Sequence, residues 1–207
     1  GFETTEDFKV ILNGSVKMAA KKLETTNIDL VQEEDATMII SQGQGFVNQI
    51  DDPTGDLTRT AIAEISENND DNKVYLINMG SNPATNAPAV GSEGSASGTS
   101  RGWKKVRILR SWNDYKVQYA DINATTHQEV TISKNAAFNF TFFSFANGVV
   151  NVQPQKNQWD INFTTFTNVI GGTTPYYYPD FVVNNVKGGA QAYQVLVADF
   201  TFDNFKL

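Results

Sequence analysis

Between Trp103 and Phe166 apolar residues fall at every second position, and this period of two returns in segment after segment. Val106 and Ile108 share one side of an extended chain. Tyr115, Val117 and Tyr119 alternate with Lys116 and Gln118, and Val130 and Ile132 continue the series. Phe138, Phe140 and Phe142 follow, then Val150 and Val152, then Trp159, Ile161 and Phe163. Successive side chains of a strand point to opposite faces, so this period marks half-buried strands. Turn chemistry separates the runs at Asn113-Asp114, Asn147-Gly148 and Gly171-Gly172. The phase slips at Phe143 and Phe145, which predicts a bulge. No stretch carries a long amphipathic helical pattern. The expected fold is all-β: an antiparallel sandwich or barrel-like body with little helix.

The remaining segments read less uniformly. Residues 8–22 predict a hairpin, because Asn13-Gly14 separates Phe8–Leu12 from the alternating Val16, Met18 and Ala20. Asn27–Val31 and Thr37–Ser41 predict two further strands, and Lys73–Asn78 a third. Residues 42–58 carry loop residues, and Thr60–Ile65 suits a short helix or a strand equally. Residues 80–102 are almost wholly small and polar, and bury too little apolar area to offset their ordering entropy. They predict a long mobile loop. Pro175–Pro179 reads as a rigid aromatic link, Phe181–Val183 as a strand, and Tyr193, Val195 and Val197 as another after the turn at Lys187-Gly188-Gly189.

A chain of 207 residues can bury a core without staples, as one large β domain or two smaller ones. It has no cysteine, which excludes disulfides and thiolate metal sites. No apolar run approaches the roughly 18 residues of a membrane-spanning helix. The net charge of -7 opposes nucleic-acid binding, which needs cations to displace counterions from phosphate. The local run Arg101, Lys104, Lys105, Arg107 and Arg110 does not reverse this expectation. Its alternation sets Lys105 and Arg107 on the solvated side of a strand whose other side is Val106 and Ile108.

No catalytic constellation emerges, and the expectation is a protein without turnover. His127 stands alone, and triads and most zinc sites need partners for a histidine. Glu33-Glu34-Asp35, Asp51-Asp52 and Asp70-Asp71 have oxygen ligands for calcium, but none follows the EF-hand spacing. Nothing in the spacing of the 23 acidic residues singles out a glycosidase pair. Met18, Met38 and Met79 suit core packing, and a thioether can also ligate haem iron.

Phe142–Val152 followed by Trp159-Asp160-Ile161-Asn162-Phe163 resembles the opening of a HmuY-like unit, a family of surface lipoproteins of Gram-negative anaerobes whose founding members capture haem. Asn72–Ile77 and Tyr115–Tyr119 resemble the closing strands of such a unit, and Lys187-Gly188-Gly189 also fits. By this resemblance residues 1–134 form the body and closing strands of one unit and residues 135–207 the opening part of a second. The alternative is one combined β domain over 1–207. The resemblance implies export, a lipid anchor on the outer membrane at the cell surface, and a haemophore-like role in iron acquisition that hands haem or a porphyrin to an outer-membrane transporter. Its haem binders use paired His or Met ligands from the middle of the unit. The comparable region here holds Met38, which becomes the expected cofactor-binding residue. The alternative within the same fold is a surface adhesion or scaffolding module without haem, and the Tyr176–Tyr178 patch would suit a protein or glycan partner.

Overall fold

The computed structural model describes residues 1–40, 44–86 and 98–204. Among the described residues ten strands carry the fold, and every pairing among them is antiparallel. The largest sheet has five strands in the order β2 (Ala19–Lys22), β3 (Val74–Asn78), β4 (Trp103–Ser111), β5 (Asp114–Asp121) and β6 (Gln128–Ile132). A second sheet joins β1 (Phe2–Glu3) to β7 (Phe140–Ser144) and β8 (Gly148–Val150). A third is the long hairpin of β9 (Ile161–Ile170) and β10 (Thr174–Asn184). The all-β expectation holds.

The period of two does its work in the five-stranded sheet. One face of it presents Ala20, Tyr75, Ile77, Val106, Ile108, Tyr115, Val117 and Ile132, all buried in one cluster with Phe2, Phe8 and Val10. The other face presents Ala19, Leu76 and Ile122 to a second cluster with Met38, Ile40 and Ile50. Each large apolar side chain among these contributes about 1.5–3 kcal/mol by leaving water, so the two faces together hold the sheet on both sides. The second sheet lies over the first face: Phe143 and Phe145 pack against Tyr119, with ring centroids 5.0 and 5.8 Å away.

Several local expectations are corrected. Asn13-Gly14 does not close a hairpin; Asn13 caps a 3-10 turn at Gly14–Val16 by accepting from the Ser15 amide. The segment before it folds back on the N-terminal strand through a Phe2–Val10 bridge, and β2 pairs with β3 instead. Non-local burial of Phe8 and Val10 outweighs the local turn signal. Asn27–Val31 is likewise no strand but a 3-10 turn over Ile28–Leu30, capped by Asn27. Residues 37–40 form no strand, and Ser41 lies outside the described residues. Thr60–Ile65 is neither helix nor strand, yet buries Ala61, Ile62 and Ile65. The loop at 80–102 is pinned at its ends by a Ser81–Ser100 bridge, and residues 87–97 lie outside the described residues.

Downstream, β7 and β8 pair from Phe142–Val150 to Ser144–Gly148 without a shift in register, so no bulge forms there. The phase slip has another cause: β7 carries aromatic rings on both faces, with Phe143 against Tyr119 and Phe140 on the outer groove. The bulge occurs in β10, where Pro179 and Asp180 together oppose Thr165. Proline is tolerated at such a position because it has no amide to give to a ladder. Pro175–Pro179 is thus strand rather than link. Tyr193, Val195 and Val197 form no strand, and Tyr193 and Val197 are exposed.

The boundary expected at 134/135 is crossed by structure. Phe2 pairs with Thr141, the Thr4 hydroxyl donates to the Asn139 carbonyl at 3.2 Å, and the buried carboxylate of Glu3 pairs with Lys187. Asn139 donates to Asn185 at 2.7 Å, and Asn185 in turn donates to the carbonyls of Lys156 and Trp159.

Candidate ligand-binding site

A cavity of about 380 Å³ lies between the first face of the five-stranded sheet and the β7–β8 hairpin. Its floor is Ile77, Val106, Ile108 and Val117, and its roof is Phe142, Phe143, Phe145, Val150 and Val152. Met18 and Met79 form one wall. The ladder that pairs Ala19 with Asn78 sets these methionines opposite one another on adjacent strands, at the end where β2 begins and β3 stops. Cross-strand neighbours on one face stand about 4.5–5.5 Å apart at Cβ. Asn13 and Ser144 supply neutral polar groups, and among the described residues Arg101 is the one charged side chain on the lining.

The expected haem ligand, Met38, lies elsewhere. It is fully buried in the cluster on the opposite face of the sheet, and its carbonyl accepts from the Asn78 amide group at 2.6 Å. Met18 and Met79, by contrast, line the cavity. The hairpin expected over residues 8–22 pairs Met18 with the Phe8–Leu12 segment, whereas the β2–β3 ladder sets it beside Met79. The signal that would have found it is positional: Met18 and Met79 each stand one residue outside a paired strand end.

A flat macrocycle needs apolar walls and a donor on one or both of its faces. Met18 and Met79 stand side by side on one sheet face, so they offer thioethers to one face of such a ligand. The opposite wall, Phe142–Phe145, offers rings and the Ser144 hydroxyl. The residues present fit an apolar slot with thioether contact from one side, and do not fit a pair of axial methionines from opposite sides.

The other candidates resolve into structural roles. His127 Nδ1 sits 2.9 Å from Asp29 Oδ1, far along the sequence but at the edge of β6, and its Nε2 is 3.9 Å from Glu129. Among the described residues no group of three or more His, Asp or Glu side chains is placed to hold a metal ion. Asp35 pairs with Lys21 at 2.5 Å, Asp52 with Arg59 at 3.1 Å, and Asp71 accepts from the Ser66 hydroxyl.

The basic run is consumed internally. Lys105 is not on a solvated face as its alternation predicts. It is fully buried, and its ammonium donates to the carbonyls of Val31 and Ala124, each at 2.6 Å. Burial pushes its pKa down, and Asp29 partly opposes this. The outer face of the sheet is covered there by the turn at Ile28–Leu30, which a strand reading of that segment conceals. Lys104 pairs with Asp121, Arg107 donates to the carbonyls of Asn72 and Asn69, and Arg110 donates to the Ile65 carbonyl and lies 4.1 Å over the Phe8 ring. Arg101 alone in this run makes a single long contact, 3.4 Å to the Met79 carbonyl.

Two further hollows are surface features. A groove of about 320 Å³ runs along the outer face of β7–β8 past Phe140 and Val149, and an open depression beside Glu33–Asp35 has Leu76 at its base. Compared with known proteins, the chain matches no family, no curated protein and no solved structure.

Proposed function

We propose that this protein is a binding protein without turnover, and that the cavity beneath the β7–β8 hairpin takes a flat apolar ligand of the haem or porphyrin class. The observation that carries this reading is the cavity itself: an apolar space of about 380 Å³ with two methionines on one wall. Ligand sites are concave, mostly apolar, and carry a few placed polar groups, and roughly 300–1,000 Å³ is their usual size. This volume is at the low end, so a macrocycle would enter by one edge and leave the other outside. Thioether sulfur is polarizable and makes favourable contacts with aromatic π-systems, and it can also ligate iron. The resemblance of Phe142–Val152 and Trp159–Phe163 to HmuY-like proteins supports the same ligand class. With it come export, a lipid anchor outside this sequence, the outer-membrane surface, and delivery of the ligand to an outer-membrane transporter.

Absorbance titration with haem, in oxidised and reduced states, tests the reading. The expected result is a saturable Soret shift. A second titration with Met18→Leu/Met79→Leu, which keeps the walls apolar, separates contact from ligation. Loss of the haem shift with retained binding of metal-free porphyrin assigns iron contact to these thioethers. Absence of binding of either ligand to the unaltered protein would sink the proposal.

A second reading, a surface adhesion or scaffolding module, is favoured by a different observation. Ile161, Phe163 and Val182 are exposed on one face of the β9–β10 hairpin, and Tyr193, Val197 and Phe202 are exposed beyond it. Phe163 and Val182 stand opposite one another across the hairpin, and exposed apolar area of this kind marks contact surfaces.

A further inference from the structure

We propose that Arg101 is the anion anchor of the cavity, and that the ligand is an amphipathic carboxylate whose apolar body lies against Met18, Met79 and Phe143 while its carboxylate meets the guanidinium. This rests on the reading of the cavity as a ligand site, and adds which chemistry the ligand must carry and which end stays at the mouth.

Three observations converge on it. Among the described residues Arg101 is the one charged side chain on the cavity lining, and none of them sets a carboxylate there to neutralise it. Its guanidinium has five N–H donors and a single long hydrogen bond, to the Met79 carbonyl at 3.4 Å, so its fork remains open to a planar anion. Arg59 and Arg110, by contrast, face Asp52, Asp56, Glu64 and Glu67.

Its backbone is also held. The Arg101 amide donates to the Gly80 carbonyl at 2.9 Å, and the Met79 amide donates to the Gly102 carbonyl at 3.0 Å. The anchor is therefore fixed beside the methionine wall rather than carried on a free loop end. Arg101 itself is exposed, so the pair would form where the cavity meets water and neither charge is fully desolvated. On a chain of net charge -7 an anion is repelled at long range, which makes one open guanidinium at the mouth a selective feature. Both porphyrins with propionate arms and long-chain fatty acids carry the required chemistry.

Protoporphyrin IX and its dimethyl ester differ only in their carboxylates, and palmitate carries a carboxylate on a non-planar body. Each is titrated into the full chain and into Arg101→Gln and Arg101→Lys, with thermal melts confirming that the exposed substitution leaves the fold intact. The expected result is that the unaltered protein prefers the acid over the ester by about tenfold, the scale of one charge-assisted Arg–carboxylate pair. Arg101→Gln should abolish that preference by weakening the acid alone, and Arg101→Lys should retain part of it. Equal affinity of the unaltered protein for acid and ester, or equal weakening of both by Arg101→Gln, overturns the anchor while leaving the porphyrin site standing. Binding of palmitate that depends on Arg101, with no porphyrin bound, keeps the anchor and overturns the porphyrin reading. No binding of any of the three probes overturns both.

Discussion

The hydroxyl of Tyr115 donates to the backbone carbonyl of Glu3 at 3.0 Å, across 112 residues of sequence. It ties the first strand to β5 of the five-stranded sheet, where no strand ladder joins the two. The ring is fully buried, with Phe2 and Phe8 against it at centroid distances of 5.1 and 5.0 Å, both edge-on. Edge-to-face rings of this kind add stability beyond their buried area. The same contact sets the position of β1, and β1 in turn holds β7, whose Phe142 and Phe143 roof the cavity.

Removing only the hydroxyl tests how much of this is polar. Tyr115→Phe keeps both ring contacts and deprives the Glu3 carbonyl of its donor, so it should lower stability by about 1–2 kcal/mol in urea unfolding. Tyr115→Ala removes the ring as well and should cost about 3–5 kcal/mol. If the Phe variant is as destabilised as the Ala variant, the hydrogen bond and not the packing dominates.

Gly80 makes a sharper demand. Its φ is +72°, and a Cβ there would lie 1.8 Å from the Val16 carbonyl oxygen. The neighbouring Ser81 amide donates to that same oxygen at 2.9 Å. Both the left-handed backbone and the close approach exclude an L side chain unless the Gly14–Val16 turn moves. Gly80→Ala should therefore cost at least about 3 kcal/mol, read as a fall of roughly 6–12 °C in Tm for a chain of this size. Because Met18 and Met79 flank this approach, ligand binding should weaken further than the stability loss accounts for. An unchanged Tm would show that the turn yields easily.

How much of this was legible in the sequence varies with the range of the forces involved. The β4–β5–β6 meander was legible because its signals are local and agree: alternation along each strand and short turns between them. Even there the turn sits one residue earlier than its composition suggests, since Ser111 pairs with Asp114 and Trp112 adopts φ +57°. Asn13-Gly14 misled because a strong turn signal specifies a turn and not what the flanking segments pair with; Phe8 and Val10 are buried with Phe2 and Tyr115 in the core of the five-stranded sheet. Lys105 misled for a related reason. Alternation decides which face a side chain takes, but whether that face is wet depends on residues 28–31, which are far away in sequence. The cavity was not legible at all. Its wall depends on two methionines brought together by the register of β2 and β3, and its roof on β7 lying over the sheet.

The β9–β10 hairpin presents a different consequence of composition. Ile161–Ile170 contains no charge and no proline, the two devices that normally discourage one strand edge from pairing with another. Phe163 stands directly opposite Val182, and the two are 77% and 52% exposed. Light scattering should show self-association of the unaltered chain that grows with concentration. Phe163→Lys should suppress it and shift stability by no more than about 0.5 kcal/mol, as for surface substitutions generally. A monomer at every concentration would remove this edge from consideration as a contact surface.

Asp51 links stability to pH. Its Oδ2 accepts from the Leu12 amide at 2.8 Å, while its Oδ1 is sealed from solvent with no partner. Burial therefore pushes its pKa up to about 6, against the opposing pull of the Leu12 amide and the α-amino group of Gly1. The folded protein then holds this proton to higher pH than the unfolded chain does. Stability should fall as pH rises from about 4 to about 6, and the loss should persist at all higher pH. Asp51→Asn cannot ionise and keeps an oxygen for the Leu12 amide. At pH 7.5 it should be more stable than the unaltered protein by about 1–2 kcal/mol, and at pH 4 the two should converge, because Asp51 is then neutral in the fold. Urea unfolding of both proteins across this range checks the slope. Equal stability at pH 7.5 would mean that the buried carboxylate finds solvent or a cation on ionising, and that the loop at Ile50–Asp52 opens to admit it.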